Sequence, residues 1–183
     1  MITHRPNLFY ALWPDEATRD ALAELQTRIH GRLTRPQNLH LTLAFLGPQA
    51  EALLPLLRSV LSHLKTAPIV IDIDHLGYFS KNRIAWASTH STPEPLSKLQ
   101  NLLEPELIRK GISYDTGKAF RPHITLARRA DAPSDLPFTP FRWQADQIVL
   151  AQSPLPNDEP FYRVLASVKA EERGQITLAL DQE

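Results

Sequence analysis

Residues 38–47 read Asn-Leu-His-Leu-Thr-Leu-Ala-Phe-Leu-Gly, and residues 121–126 read Arg-Pro-His-Ile-Thr-Leu. Each contains His-x-Thr-x with apolar x: His40-Leu41-Thr42-Leu43 and His123-Ile124-Thr125-Leu126. Side chains on a strand alternate between two faces, so histidine and threonine share one face and the apolar pair the other. Such a strand anchors itself in a core and presents chemistry on its far side. The copies stand 83 residues apart in a chain of 183. Two of them, nearly half a chain apart, predict a duplicated unit and a site that takes one histidine from each copy.

The surrounding sequence has the same duplicated order. Leu8 to Trp13 is aromatic-rich and reads as a strand, and Pro14-Asp15 supplies a stop and an N-cap. Leu22, Leu25, Ile29 and Leu33 recur at helical spacing, with Gly31 near the helix end. Leu39 to Leu46 is the first motif strand. Leu53, Leu54, Leu57, Leu61 and Leu64 predict a second helix with Pro55 in its first turn, and Ile69 to Ile73 a further strand. The order then recurs: Arg83 to Thr89 as strand, Leu96, Leu99 and Leu103 as a helix that ends near Gly111 and that Pro105 kinks or splits, and Phe120 to Ala127 as the second motif strand. Ile148 to Leu150, Tyr162 to Val168 and the more weakly patterned Ile176 to Leu180 complete the strands. Two strand–helix–strand units predict an α+β fold of two pseudo-symmetric lobes, each with a mainly antiparallel sheet and flanking helices, in one domain over residues 1–183.

Composition narrows the chemistry. The chain has no cysteine, which excludes disulfides, thiolate metal sites and a thiol nucleophile. Its formal net charge is zero, against a surface that coats nucleic acid broadly but compatible with a local basic cleft. No stretch approaches a membrane span and the first residues carry no apolar signal core, so a cytoplasmic protein is expected. The 16 prolines fall mostly between apolar runs and punctuate loops.

Histidine titrates near neutrality, so one imidazole can accept a proton while a second donates one. A threonine hydroxyl beside each can hold a phosphate oxygen or orient the ring. His40 with Thr42 and His123 with Thr125 can therefore grip one phosphorus from two sides without a metal. The remaining histidines lack this setting: His30 and His63 fall at helix ends, and His4, His75 and His90 in loops or at strand ends. No His-x-x-x-His or carboxylate cluster has the spacing of a zinc site, so no metal ligand is assigned. No Walker-type glycine loop is present, and no cofactor is expected.

At these residues the chain resembles the 2H phosphoesterase superfamily, and within it the bacterial branch of 2'-5' RNA ligases or RNA 2',3'-cyclic phosphodiesterases. The resemblance implies a bilobal fold with both motifs on a central cleft. It implies metal-independent hydrolysis of a 2',3'-cyclic phosphate at an RNA end to a 2'-phosphomonoester. By analogy His40 is the proton donor and His123 the proton acceptor, with Thr42 and Thr125 on phosphate oxygens. An arginine five residues after the second histidine, here Arg128, contacts the phosphate. Strict strand alternation points Arg128 away from the His123 face, so the strand must end or twist before it, and Arg129 competes for the role. The resemblance also suggests that Phe45 stacks on the terminal base, whereas period two puts Phe45 in the core with Leu41 and Leu43. Arg35, Lys118 and Arg121 are candidates for positive potential at the cleft rim. The partner implied is RNA with a cyclic phosphate end, including tRNA fragments, or a small cyclic nucleotide. The alternatives are the reverse 2'-5' ligation at the same site and a non-catalytic RNA- or nucleotide-binding module.

Overall fold

The computed structural model describes residues 5–115, 119–133, 137–154 and 160–171. Along the chain run β1 (Asn7–Leu12), α1 (Glu16–Gln26), β2 (Arg32–Leu33), β3 (Leu41–Pro48), α2 (Leu54–His63), β4 (Ile69–Ile73), β5 (His75–Phe79) and β6 (Ile84–Ser88). Then come α3 (Glu94–Arg109), β7 (Ile124–Arg128), β8 (Phe141–Ala145), β9 (Gln147–Gln152) and β10 (Arg163–Lys169). The local signals work as read. Asp15 caps α1 by accepting from the Thr18 N–H at 2.7 Å, and Pro55 sits in the first turn of α2.

Two motif strands stand at the middle of one antiparallel sheet ordered β10-β9-β1-β3-β7-β6-β5, with β2 also paired to β7. β3 and β7 meet through a single residue pair, Leu41 with Ile124. These are the equivalent positions of the two motifs, so the duplicated units face each other across a local two-fold. The helices follow the same relation in exchanged form. α1 follows β1 but packs on β7, while α3 follows β6 but packs on β3. A second, two-stranded ribbon joins β4 to β8.

The core lies under this sheet, where Leu41, Leu43, Ile124 and Leu126 meet the buried leucines of the three helices. Tyr10 is fully buried, and its hydroxyl donates to the Leu57 carbonyl at 2.8 Å, tying β1 to α2. Among the described residues no helix is long and apolar enough to cross a membrane.

Four readings of the periodicity change. α1 stops at Gln26, and Leu33 lies on β2, 46% exposed. Gly31, at φ +153°, turns the chain so close to Ala130 that a Cβ would lie 2.7 Å from its Cα. α3 continues through Pro105 as one helix, held by buried Leu96, Leu99, Leu103 and Leu107 despite the lost N–H. β5 went unread because its sequence His-Leu-Gly-Tyr-Phe is half-buried throughout and does not alternate. β8 went unread because it pairs only with the distant β4. The stretch Ile176 to Leu180 lies outside the described residues.

Candidate active site

The site grows from the single junction of β3 and β7. Leu41 and Ile124 are buried, so the flanking His40, Thr42, His123 and Thr125 turn to the opposite face. Continuing the antiparallel register sets His40 alongside Thr125 and Thr42 alongside His123. The two motifs thereby interleave instead of standing side by side.

Each strand then breaks its alternation one step further on. In β3, Thr42 pairs with Ala11 and Ala44 with Tyr10, leaving Leu43 as an extra residue. In β7, Thr125 pairs with Trp86 and Ala127 with Ala85, leaving Leu126 extra. A β-bulge of this kind puts two consecutive side chains on one face. Leu43 and Ala44 are both buried, as are Leu126 and Ala127. The third residue after each threonine therefore returns to the cleft. Those residues are Phe45 and Arg128, and both line the pocket.

This corrects the core reading of Phe45, which is 46% exposed. It also supplies the twist that Arg128 needs. Arg129, at φ +50°, ends the strand in a left-handed turn, and it is Arg128 that lines the pocket. The bulge in β7 is held from outside: the Leu126 carbonyl accepts from the Thr34 N–H at 2.8 Å and from Gln26 Nε2 at 2.7 Å.

Both imidazoles are oriented in the same way. His40 Nδ1 donates to the Asn38 carbonyl at 2.6 Å, and His123 Nδ1 donates to the Arg121 carbonyl at 2.8 Å. A carbonyl cannot donate, so the proton of each neutral ring sits on Nδ1 and Nε2 keeps its lone pair. His40 Nε2 accepts from Thr42 Oγ1 at 3.1 Å.

Their surroundings differ. His40 lies between Phe9 (centroids 4.8 Å apart, planes at 27°) and Trp13 (5.7 Å, 14°), with Tyr162 edge-on at 5.2 Å. His123 meets Phe79 edge-on at 5.2 Å and Trp86 at 6.4 Å. Burial pushes the His40 pKa down to about 4; the Asn38 carbonyl opposes this, and the charges of His123 and Arg128 add to it. Burial also lowers His123, opposed by the Arg121 carbonyl and aided by Arg128. Both shifts favour the neutral imidazole.

A pocket of about 340 Å³ brings together His40, Thr42, Phe45, His123, Thr125 and Arg128. Its described lining contains no carboxylate, and Arg128 makes no ion pair among the described residues. Arg128 thus brings positive charge to a described lining that holds no opposing carboxylate. Sequence reading missed Asn7, Phe9, Thr34, Asn38, Ser153 and Tyr162 in the lining. The signal for Phe9 was present, since period two in β1 puts Phe9, Ala11 and Trp13 on one face. Tyr162 arrives from a distant segment and has no local signal.

Of the rim candidates, Arg35 and Arg121 are not in the described lining. Arg35 lies over the Phe161 ring at 5.4 Å, and Arg121 is exposed. Lys118 and His4 lie outside the described residues. His63 closes α2, with Nδ1 donating to the Ser59 carbonyl, and His75 opens β5. Among the described residues no group of three His, Cys, Asp or Glu is arranged to hold a metal ion.

The 2'-5' RNA ligase superfamily model matches residues 13–154. A Thermus thermophilus protein named RNA 2',3'-cyclic phosphodiesterase is 34% identical over 176 residues, 86% of this chain and 87% of its own length. An Escherichia coli protein of the same name is 31% identical over 113 residues, 62% of this chain and 64% of that protein. The crystal structure of Escherichia coli LigT complexed with 3'-AMP superposes with a TM-score of 0.77 at 23% identity, covering 92% of this chain and 100% of that one. The family model spans both motifs and their bulged strands, and the chain belongs to the 2'-5' RNA ligase superfamily.

Proposed function

We propose that this pocket hydrolyses 2',3'-cyclic phosphates at RNA ends, with His40 and His123 as acid and base and no metal in the reaction. The observation that carries this is the repeated tautomer. Both rings turn Nδ1 to a backbone carbonyl, so that each Nε2 keeps its lone pair, and both line one pocket together with Arg128. A binding module needs positive charge but has no use for two such imidazoles.

In this reading the His123 Nε2 takes a proton from a water, whose oxygen attacks phosphorus. The bond from phosphorus to the 3' oxygen breaks, and His40 delivers a proton to that oxygen. The product is a 2'-phosphomonoester beside a free 3'-hydroxyl. Thr42, Thr125 and Arg128 hold the phosphate oxygens, Arg128 through its two-pronged guanidinium. Phe45 stacks on the terminal base. An anion among His40, His123 and Arg128 cancels the positive neighbours and raises both imidazole pKa values. The assignment of His40 as donor and His123 as acceptor follows the family resemblance.

The substrate is an RNA carrying the cyclic phosphate, in the cytoplasm. A 5'-hydroxyl in place of water attacks the same phosphorus, the bond to the 3' oxygen breaks as before, and the ends are joined through a 2'-5' linkage, so ligation is a second activity of one site. The test is incubation with a 2',3'-cyclic phosphate oligonucleotide in EDTA. The expected product is the 2'-phosphate. Binding without turnover would favour the module, and turnover only with a divalent metal would replace the two-histidine route with metal-assisted hydrolysis.

A further inference from the structure

Asn38 has no part in the reaction above, yet its polar groups converge on His40 and on the segment enclosing it. Its carbonyl accepts from His40 Nδ1 at 2.6 Å. Its side chain reaches across more than 120 residues of sequence: Nδ2 donates to the Pro160 carbonyl at 2.9 Å, and Oδ1 accepts from the Tyr162 N–H at 2.9 Å. Asn38 is buried, so each of these bonds is costly to leave unmade. The 3₁₀ turn Pro36–Asn38 leads directly into β3, which fixes the amide where it stands.

Tyr162 is the residue so held. Its ring meets both His40 and Phe9 edge-on, each at 5.2 Å. With Trp13 it packs on the small apolar cluster of Phe9, Ala11, Val149 and Ala151. His40 thus sits in a three-sided aromatic collar, of which two sides come from β1 and its continuation. The third side comes from residues far away in sequence and rests on Asn38. His123 has no such bracket among the described residues.

We infer that Asn38 is a positioning residue that clamps residues 160–162 across the pocket, so that the Tyr162 ring closes the collar around His40. The groups whose charge acts on His40 are His123 and Arg128, both on the far motif. The collar acts instead by excluding water and by fixing the ring plane. Its catalytic meaning rests on His40 being the proton donor, but its physical meaning does not.

The test follows the imidazole Cε1–H resonances of the full chain by NMR across pH, in wild type, Asn38→Ala, Tyr162→Leu and the double variant. Opening the collar hydrates His40, and its midpoint rises by about half a unit or more in each single variant. His123 keeps its midpoint. Because one residue acts through the other, the double variant matches the singles instead of summing them. An unmoved His40 midpoint in either single variant, or additive shifts in the double, overturns the assignment. If Asn38→Ala does not fold, Asn38→Ser replaces it, since serine cannot reach both backbone groups. None of these readouts needs turnover. A shifted His40 midpoint in a protein that hydrolyses nothing would keep the clamp and remove only the proposed reaction.

Discussion

The two motif strands are the same device with different contents. Each places a histidine and a threonine on the cleft face, fixes Nδ1 on the carbonyl two residues back, and bulges after the threonine. Each bulge returns the third following residue to the pocket, yet that residue is Phe45 in one strand and Arg128 in the other. The histidines diverge likewise: His40 is stacked between parallel aromatic faces, whereas His123 meets rings only by their edges. In the proposed reaction the repeated part is a two-sided grip on one phosphorus, and the differences give that grip a direction, with Phe45 at a base-binding end and Arg128 at a phosphate-binding end.

The largest expected effects test the shared part. His40→Ala and His123→Ala each remove a proton-transfer group, and kcat should fall about 10²–10⁴-fold or more in either variant. If one variant keeps near wild-type turnover of a cyclic phosphate oligonucleotide, the two halves are not equivalent partners.

The next pair tests the asymmetry. Arg128→Ala should lower kcat by about 10²-fold, and Arg128→Lys should not restore it, since a point charge lacks the guanidinium fork. Phe45→Ala should chiefly raise KM, by about tenfold, because base stacking contributes roughly 1–3 kcal/mol in bound and transition states alike. Equal effects of both substitutions on KM would erase the distinction between the two ends.

A smaller effect concerns pH. Burial lowers both imidazole pKa values, His40 to about 4. The productive form carries one proton on the pair, so kcat/KM should peak on the acid side of 6.5, not at neutrality. The profile of kcat, reporting the pocket with its anion, should lie further to alkali. A kcat/KM that climbs steadily above pH 8 contradicts this. The same depression affects stability. Unfolded His40 binds a proton at about 6.5 and the folded ring resists it, so stability is lost as pH falls from about 6.5 towards 4. The loss amounts to about 3 kcal/mol at most. In His40→Gln, denaturant melts at pH 5 and 7 should differ less than in wild type.

The smallest effect sharpens the comparison locally. Gln26 Nε2 supports the Leu126 carbonyl at the bulge of β7. Gln26→Ala should cost about 1–3 kcal/mol in urea unfolding. It should also weaken phosphate binding more than base binding, because it loosens Arg128 and leaves Phe45 alone.

Much of this was legible in the sequence, and the reasons are specific. The period-two frame of His-x-Thr-x identified the cleft face, and its repetition identified the pair. The fold class followed from the repeated order of strands and helices. Alternation misplaced Phe45 and left Arg128 unexplained, because a bulge is a property of two paired strands and has no signature in one of them. Gly77 shows the same limit. It sits where the Trp86 indole crosses β5, and a Cβ there would lie 2.1 Å from the ring. Only the pairing reveals why glycine stands there. Tyr162 and Asn38 escaped notice because their contact joins segments more than 120 residues apart.

The central claim is that one phosphorus sits between His40 and His123. The most direct measurement titrates the full chain with 2'-AMP and follows both imidazole Cε1–H resonances by NMR over pH. Both should shift on binding, and both midpoints should rise as the phosphate anion enters. A response confined to one of the two rings would contradict the claim.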